Sequence, residues 1–456
     1  MMLALAGRRV LVVGLARSGV AAAKLLCREG AIVTATDGRK AAELGPAVEA
    51  LLPLGVRFEL GGHDEAAFTS AELIVVSPGV PLAGRELVAA RAAGVPIIGE
   101  AELAATFIEE PVVGITGTNG KSTTTALIGH LLTAAGKRVF LGGNLGTPLS
   151  ERVLAGGALD VTVAELSSFQ LEAVETLRPH VAVVTNLSPD HLDRYPGPQD
   201  YYEAKRAIFR AQRESDFAVL NAGDPEVLAL HRGALSKPVS FGHGAVELAG
   251  DDRAARDDGK RIVVRGVGGE EEELYERLSP ALRGRHNREN AMAAILAARL
   301  CGAAPEAIRA GLASFGGLPH RLELVRTLRG TEWINDSKAT NVDSVKVALA
   351  ALPGPLVWIA GGLGKGAPYE PLRALLPGRV KAILTIGSDA QAIASALGDL
   401  APATSCGTLD EAVRVAEGMA LPGEAVLLSP ACASFDQFRS YEHRGAAFRA
   451  LVEALP

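Results

Sequence analysis

Short apolar, β-branched runs recur along the chain, each closed by a glycine-containing turn and followed by residues at helical spacing. That alternation predicts parallel sheets with crossover helices, an α/β fold. The first runs are RRVLVVG (8–14), AIVTATD (31–37), ELIVVSPG (72–79) and VPIIGE (95–100). A second group holds PVVGITG (111–117), RVFLGG (138–143), DVTVAE (160–165), HVAVVTN (180–186) and FAVLN (217–221). The stretch from Val246 to Glu273 is acidic and glycine-rich around RIVVRG, and predicts a hairpin or lid-like insertion. GRHNRENAMAAILAARL (284–300) is apolar at about every third or fourth position and predicts a helix. After GGLPHR (316–321) come EWINDS (332–337), PLVWIAGG (355–362), VKAILTIG (380–387) and EAVLLSP (424–430). The chain reads as three α/β blocks in a row.

Composition narrows the functional classes. At about 150 residues per domain, 456 residues suggest three domains. The balance of 46 Lys plus Arg against 52 Asp plus Glu gives −6, with no global excess of basic charge to attract nucleic acid or an anionic membrane. The longest uncharged run, 18 residues between Lys346 and Lys365, holds Pro353, Pro355 and four glycines, which rules out a continuous membrane helix. No basic region precedes the first apolar stretch, so no signal peptide is expected. Cys27, Cys301, Cys406 and Cys432 are scattered without CxxC spacing, and a reduced cytoplasmic protein is the expectation.

The densest chemistry lies in Gly114-Ile-Thr-Gly117-Thr118-Asn119-Gly120-Lys121-Ser122-Thr123. The spacing is G-x-x-G-x-x-G-K-S, set between a strand and a helix. There, glycines let backbone N–H groups approach phosphate oxygens and the helix N-terminus adds its dipole. Lys121 is placed for the β- and γ-phosphates, and the Ser122 hydroxyl for Mg²⁺. The alternative is a ligand-free glycine-rich turn, which gives Lys and Ser at this spacing no purpose. Glu165 and Thr185-Asn186 close two other strands, and Ser188-Pro-Asp190-His191-Leu-Asp193-Arg194-Tyr195 follows. In open parallel sheets such strand ends converge on the ligand. Glu165 and His191 become candidate metal ligands, and Asn186 and Asp190 candidate positioning groups.

Gly14-Leu-Ala-Arg17-Ser18-Gly19 also joins a strand to a helix, and Asp37 ends the next strand. Ala16 stands where a dinucleotide fingerprint has its middle glycine, which argues against a nicotinamide cofactor. A diphosphate on the helix N-terminus with Arg17 and Ser18 as donors, or a bare tight turn, both fit. Ser77-Pro78-Gly79 ends a neighbouring strand.

Taken together, GLARSG (14–19), SPG (77–79), GITGTNGKST (114–123), AELSSFQLE (164–172), TNLSPDHLDRY (185–195), YYEAKRAIF (201–209), GRHNREN (284–290), NDSKATN (335–341), GGLGKG (361–366) and LLSPACASFDQF (427–438) resemble the Mur ligases of peptidoglycan synthesis from end to end. SSFQLE, DHLDRY and NDSKATN point to the D-glutamate-adding branch. The resemblance implies three consecutive α/β domains. A Rossmann-like N-terminal domain (1–99) holds the UDP-sugar, a central P-loop ATPase-type domain (100–317) holds ATP and Mg²⁺, and a Rossmann-like C-terminal domain (318–456) holds the amino acid.

Residue by residue, it implies UDP contacts from Arg17, Ser18, Asp37, Arg39, Ser77, Pro78 and Gly79, with Asn144. ATP contacts are implied for Gly117 to Thr123, Asn290 and Arg321. Two Mg²⁺ ions would sit near Ser122, Glu165, His191 and Lys205, the last carrying a carbamate. Lys121, His191 and Lys205 form the implied catalytic set. Lys338, Thr340, Lys365, Ser434 and Tyr441 are implied for D-glutamate; Tyr441 stands where a Phe is expected, and Leu363 where many relatives carry an acidic residue. The implied reaction joins D-glutamate to UDP-N-acetylmuramoyl-L-alanine through an acyl phosphate, in a monomeric cytoplasmic enzyme with no nucleic-acid or membrane partner. Its rivals are another ligase of the superfamily with a different amino acid, and a nucleotide switch that hydrolyses ATP without making an amide.

Overall fold

The computed structural model describes residues 4–192, 194–243, 253–267, 269 and 271–456; Asp193 and residues 246–252, 268 and 270 of the expected insertion lie outside them. Three sheets form among these residues. The first is wholly parallel, ordered Arg57–Leu60, Ile32–Asp37, Arg9–Val13, Leu73–Val76, Ile97–Gly99. Sequence order reverses on either side of Arg9–Val13, which places a crevice between the turn at Gly14 and the turn at Ser77. Gly14 has φ +88°, and a Cβ on Gly19 would lie 1.8 Å from the Gly14 carbonyl oxygen. Glycine at 19 is therefore what lets helix Arg17–Arg28 start so close beneath the turn.

In the second sheet the order is Val139–Gly143, Val161–Glu165, Val112–Thr116, Val181–Val184, Phe217–Asn221, Lys237–His243, Ala254–Asp257, Ile262–Arg265, Glu273–Tyr275. Its first seven strands are parallel, and the last two pair antiparallel. Within the described part of the expected insertion, Ala254–Asp257 and Ile262–Arg265 form the hairpin alternative, which extends the sheet rather than making a separate lid. Val112–Thr116 is buried at all five positions, as a central strand covered on both faces must be. Helix Arg17–Arg28 packs on helix Leu149–Ala155, which also meets helix Glu100–Ala105. One apolar core runs through these elements from Leu5 to Leu230.

The third sheet is ordered Glu323–Leu328, Thr331–Asn335, Ala425–Leu428, Leu356–Gly361, Val380–Ile386, Ala403–Gly407. Only the first pair is antiparallel. Apolar clusters cover both faces, around Trp358 and Leu427 on one side and Trp333 and Phe448 on the other.

By compactness the chain forms two units: residues 1–278 with 289–313, and 279–288 with 314–456. The first two sheets share one unit because their helices share one core. Among the described residues, Arg57–Leu60, Lys237–His243, Glu323–Leu328 and Ala403–Gly407 are strands that the sequence pattern does not predict.

Candidate functional site

In the second sheet, Val112–Thr116 lies between Val161–Glu165 and Val181–Val184, with Ile115 opposite Glu165 and Thr116 opposite Val184. The loop after it, Glu165, and Thr185-Asn186 therefore meet at one sheet edge. Gly117 and Gly120 have φ +139° and +83°, and helix Lys121–Ala134 starts immediately afterwards. A Cβ on Gly117 would lie 2.0 Å from Thr185 Oγ1, and one on Gly120 2.4 Å from Asn290 Oδ1. The loop is held open by side chains around it. Thr185 Oγ1 and Asn186 Nδ2 both donate to the Asn119 carbonyl, at 2.7 and 3.0 Å. Asn119 N donates to Asn186 Oδ1 at 2.9 Å, and Ser188 N to Thr118 Oγ1 at 3.0 Å. Thr124 Oγ1 lies 3.2 Å from Asn290 Oδ1, which brings the implied nucleotide residue Asn290 to the loop. Ser122 is buried at the helix start, with Thr123 beside it.

Two ammonium groups share this loop. Lys121 Nζ donates to the carbonyls of Gly117 (3.0 Å) and Thr118 (2.9 Å). Lys205, on helix Pro198–Arg206, is 1% exposed, donates to the same Gly117 carbonyl at 2.8 Å, and lies 4.5 Å from the centre of the Tyr201 ring. Burial drives its pKa well below the usual lysine range, and the Lys121 charge pushes the same way, against Asp190 and Glu165. Sequence alone reads Lys205 as a solvated helix lysine; the fold buries it.

Glu165 is also buried. Its Oε1 accepts from Asn144 Nδ2 at 2.7 Å, while Oε2 is buried without a hydrogen-bond partner. A buried carboxylate oxygen with no donor is costly unless a cation meets it, so the donor set suits a hard metal ion. His191 adopts left-handed backbone (φ +53°), sits edge-on to Phe169 at 4.8 Å, and keeps Nε2 3.7 Å from Asp190 Oδ2. Among the described residues no three His, Cys, Asp or Glu side chains gather as a preformed cage.

At the first sheet, a cavity of about 540 Å³ is lined by Arg17, Ser18, Asp37, Arg39, Ser77, Pro78, Gly79 and Asn144, all eight residues implied for the uridine nucleotide. His63, Val80 and Pro81 line it too and were not anticipated. Asp37 Oδ2 accepts from Leu15 N at 2.8 Å, and its carboxylate takes Arg39 through Nε (3.0 Å) and Nη2 (2.8 Å). That bidentate pair holds the Asp37 carboxyl far below the usual range. Ser77 Oγ donates to the Gly14 carbonyl at 2.8 Å, tying the two turns that frame the cavity. Arg194, from the loop carrying His191, pairs with Glu172 at 2.7 Å and donates to the Val80 carbonyl at 3.2 Å.

In the other unit, Thr331–Asn335, Ala425–Leu428 and Leu356–Gly361 are adjacent and parallel, so the loops after them share an edge. Those loops carry Lys338 and Thr340, Ser434, and Lys365. They are joined by Ala431 N to Ala339 O (2.9 Å) and by Leu363 and Ala433, which exchange both backbone bonds at 2.9 Å. Lys338 Nζ lies 5.4 Å from the centre of the Tyr441 ring. Ser434 is buried, whereas Lys365 and Leu363 are exposed. Arg321 follows His320, whose backbone is left-handed (φ +64°). Asp336, buried, accepts from Ser429 Oγ at 2.8 Å and Leu322 N at 3.2 Å, and burial lifts its pKa to about 7.

Three family models cover most of the chain: Mur ligase MurD-like, N-terminal domain at 8–99, Mur ligase middle domain at 115–298, and Mur ligase, glutamate ligase domain at 320–432. The chain belongs to the Mur ligase family. This Mur ligase is 58% identical to UDP-N-acetylmuramoylalanine--D-glutamate ligase of Anaeromyxobacter dehalogenans, over 98% of both chains. It is 51% identical to the protein of the same name from Myxococcus xanthus over the full length of both. Solved structures share the fold. A pseudomurein peptide ligase type C from Methanothermus fervidus superposes with TM-score 0.59 at 22% identity, covering 98% of this chain and 99% of the other. MurF from Acinetobacter baumannii gives 0.60 at 20%, covering 86% and 93%. The three α/β domains expected from sequence are those of this fold. No helix among the described residues is long and apolar enough to cross a membrane.

Proposed function

We propose that this Mur ligase joins D-glutamate to UDP-N-acetylmuramoyl-L-alanine with hydrolysis of ATP to ADP and phosphate, as a cytoplasmic monomer acting on small molecules. What carries the reading is the convergence of Lys121 and buried Lys205 on the Gly117 carbonyl of a phosphate loop. That convergence sits in a chain matched end to end by two relatives bearing the D-glutamate ligase name.

The uridine nucleotide occupies the 540 Å³ cavity at the first sheet, with its diphosphate toward Arg17, Ser18 and the start of helix Arg17–Arg28. ATP lies along Gly117 to Thr123 with Asn290 beside it. Ser122, Glu165 Oε2, His191 and Lys205 would hold the Mg²⁺ ions. When bound, these ions neutralise phosphate oxygens so that an anionic carboxylate can approach. The depressed pKa of Lys205 fits a carbamate: a neutral amine adds to CO₂, its nitrogen forms the N–C bond and releases a proton, and the product is an anionic oxygen donor.

The L-alanyl carboxylate attacks the γ-phosphorus, giving an acyl phosphate and ADP. Lys121 offsets charge on the transferred group, as do the loop N–H groups. The D-glutamate amine then attacks the acyl carbon; the new C–N bond forms, the carbon–oxygen bond to phosphate breaks, and the amine proton leaves with inorganic phosphate. Lys338, Thr340, Ser434, Lys365 and Tyr441 position the amino acid, whose two carboxylates call for cations and hydroxyls.

Phosphate release measured with UDP-N-acetylmuramoyl-L-alanine, ATP and one amino acid at a time tests this reading. Release only with D-glutamate is expected. Release with L-glutamate or a diamino acid instead would replace the substrate, and release without any amino acid would replace amide formation by simple ATP hydrolysis.

A further inference from the structure

Helix Tyr441–Glu453 is capped by Ser440, whose Oγ accepts from His443 N, and its first turn carries Arg444. The Arg444 side chain is 1% exposed, among the largest fully buried side chains of the protein. No carboxylate lies within 4.0 Å of it among the described residues; Asp436 acts on it only through space. Removing a guanidinium from water without a counter-ion is unfavourable, and an apolar side chain of this volume would fill the space without that penalty. Packing therefore does not explain an arginine here.

The hydrogen bonds do. Nη2 donates to the carbonyls of Ser337 (2.9 Å) and Cys432 (3.1 Å). Nη1 donates to those of Ala433 (3.3 Å) and Gly361 (3.5 Å). Nε donates to Ser337 Oγ at 3.0 Å, and that hydroxyl donates to the Tyr441 carbonyl at 2.8 Å. The carbonyl acceptors lie on the three loops assigned to the amino acid: Ser337 precedes Lys338, Cys432 and Ala433 precede Ser434, and Gly361 opens the loop that leads to Lys365. Close approach is built in, because a Cβ on Gly362 (φ +134°) would come within 3.1 Å of Nη1. Burial lowers the Arg444 pKa to about 10, which leaves it charged at neutral pH.

We propose that Arg444 is a positioning residue for the amino-acid site: its planar fork sets the spacing of the three strand-end loops, and its unpaired charge favours a dicarboxylate amino acid over a monocarboxylate one. The inference rests on the assignment of those loops to the amino acid. Its test therefore begins with the unmodified enzyme, whose amino-acid-dependent phosphate release checks that assignment separately.

Arg444→Lys keeps the charge and loses the fork, Arg444→Met loses both, and Arg444→Ala leaves room for added methylguanidinium. For Arg444→Lys the KM for D-glutamate should rise about tenfold, with the KM for ATP and for the UDP-sugar changing less than about twofold. Arg444→Met should lose more, and methylguanidinium should lower the D-glutamate KM of Arg444→Ala. An unchanged D-glutamate KM in Arg444→Lys overturns the proposal. So does a parallel rise in all three KM values, or failure of methylguanidinium to act on folded Arg444→Ala. Should Arg444→Met not fold, Arg444→Lys still decides the role of the fork.

Discussion

At the scale of single residues, the burial of Lys205 ties stability to pH. Its ammonium is penalised by burial and by Lys121, so its pKa in the folded chain lies well below that of the unfolded chain, about 10.4. Below the folded pKa the penalty is complete, because both states are protonated and only the folded one pays for it. Between the two values the folded chain binds fewer protons, so stability rises with pH, and above the unfolded value the penalty is gone. Lys205→Met should therefore be more stable than the parent protein at neutral pH, by a margin that shrinks as pH approaches 10. Urea midpoints across that range, in buffer freed of CO₂ so that the amine stays unmodified, measure the margin. A constant or widening margin refutes the assignment of a penalised buried amine. Residues such as Lys121, Glu165 and Ser77 were legible in sequence because each ends a strand or lies in a turn whose spacing has a mechanism. Arg444 was not. An isolated charged residue in a helix reads as solvated, and only the tertiary fold shows that it is sealed beneath three loops.

Secondary elements carry the same lesson about what local sequence reveals. Strands with continuous apolar runs, such as VVGIT and LVWIAG, were legible because both their faces are buried. Arg57–Leu60, Glu323–Leu328 and Ala403–Gly407 lie at sheet edges and are largely unburied, so they have no such run. Lys237–His243 is interior, but Pro238, Ser240 and Gly242 interrupt its apolar pattern. Helix Glu100–Ala105, which leads from the first sheet into the second, depends on a carboxylate that no motif announced. Buried Glu102 accepts from Glu175 N (3.1 Å), Thr176 N (2.8 Å), Thr176 Oγ1, and Leu177 N (3.0 Å). Glu102→Ala orphans these donors together, at about 1–3 kcal/mol for each one left without water. A loss of about 3–5 kcal/mol is expected, with Glu102→Gln losing about half as much because one acceptor oxygen remains. Denaturant unfolding followed by far-ultraviolet circular dichroism measures both variants; a loss under about 1 kcal/mol in Glu102→Ala would show that water replaces the carboxylate.

For the whole molecule, three blocks of sequence become two compact units, because one apolar core runs from Leu5 to Leu230 across the first and second sheets. Cooperativity follows continuous cores rather than sheets, so the first two sheets should unfold together and the third separately. The sequence supplies a convenient reporter: its two tryptophans, Trp333 and Trp358, are both buried in the third sheet. Tryptophan fluorescence then follows residues 279–288 and 314–456 alone, while circular dichroism follows both units. The cavity at Arg17, Asp37 and Ser77, proposed above for the uridine nucleotide, lies wholly within the other unit, so adding UDP separates the two. At about a hundred times its dissociation constant it should stabilise that unit by about 2.7 kcal/mol. The expected result is a circular-dichroism transition that moves upward with UDP while the fluorescence transition stays in place. If both move together, the chain unfolds as one block. A third transition that alone responds to UDP would mean that the first sheet melts by itself, and that the core from Leu5 to Leu230 does not act as one.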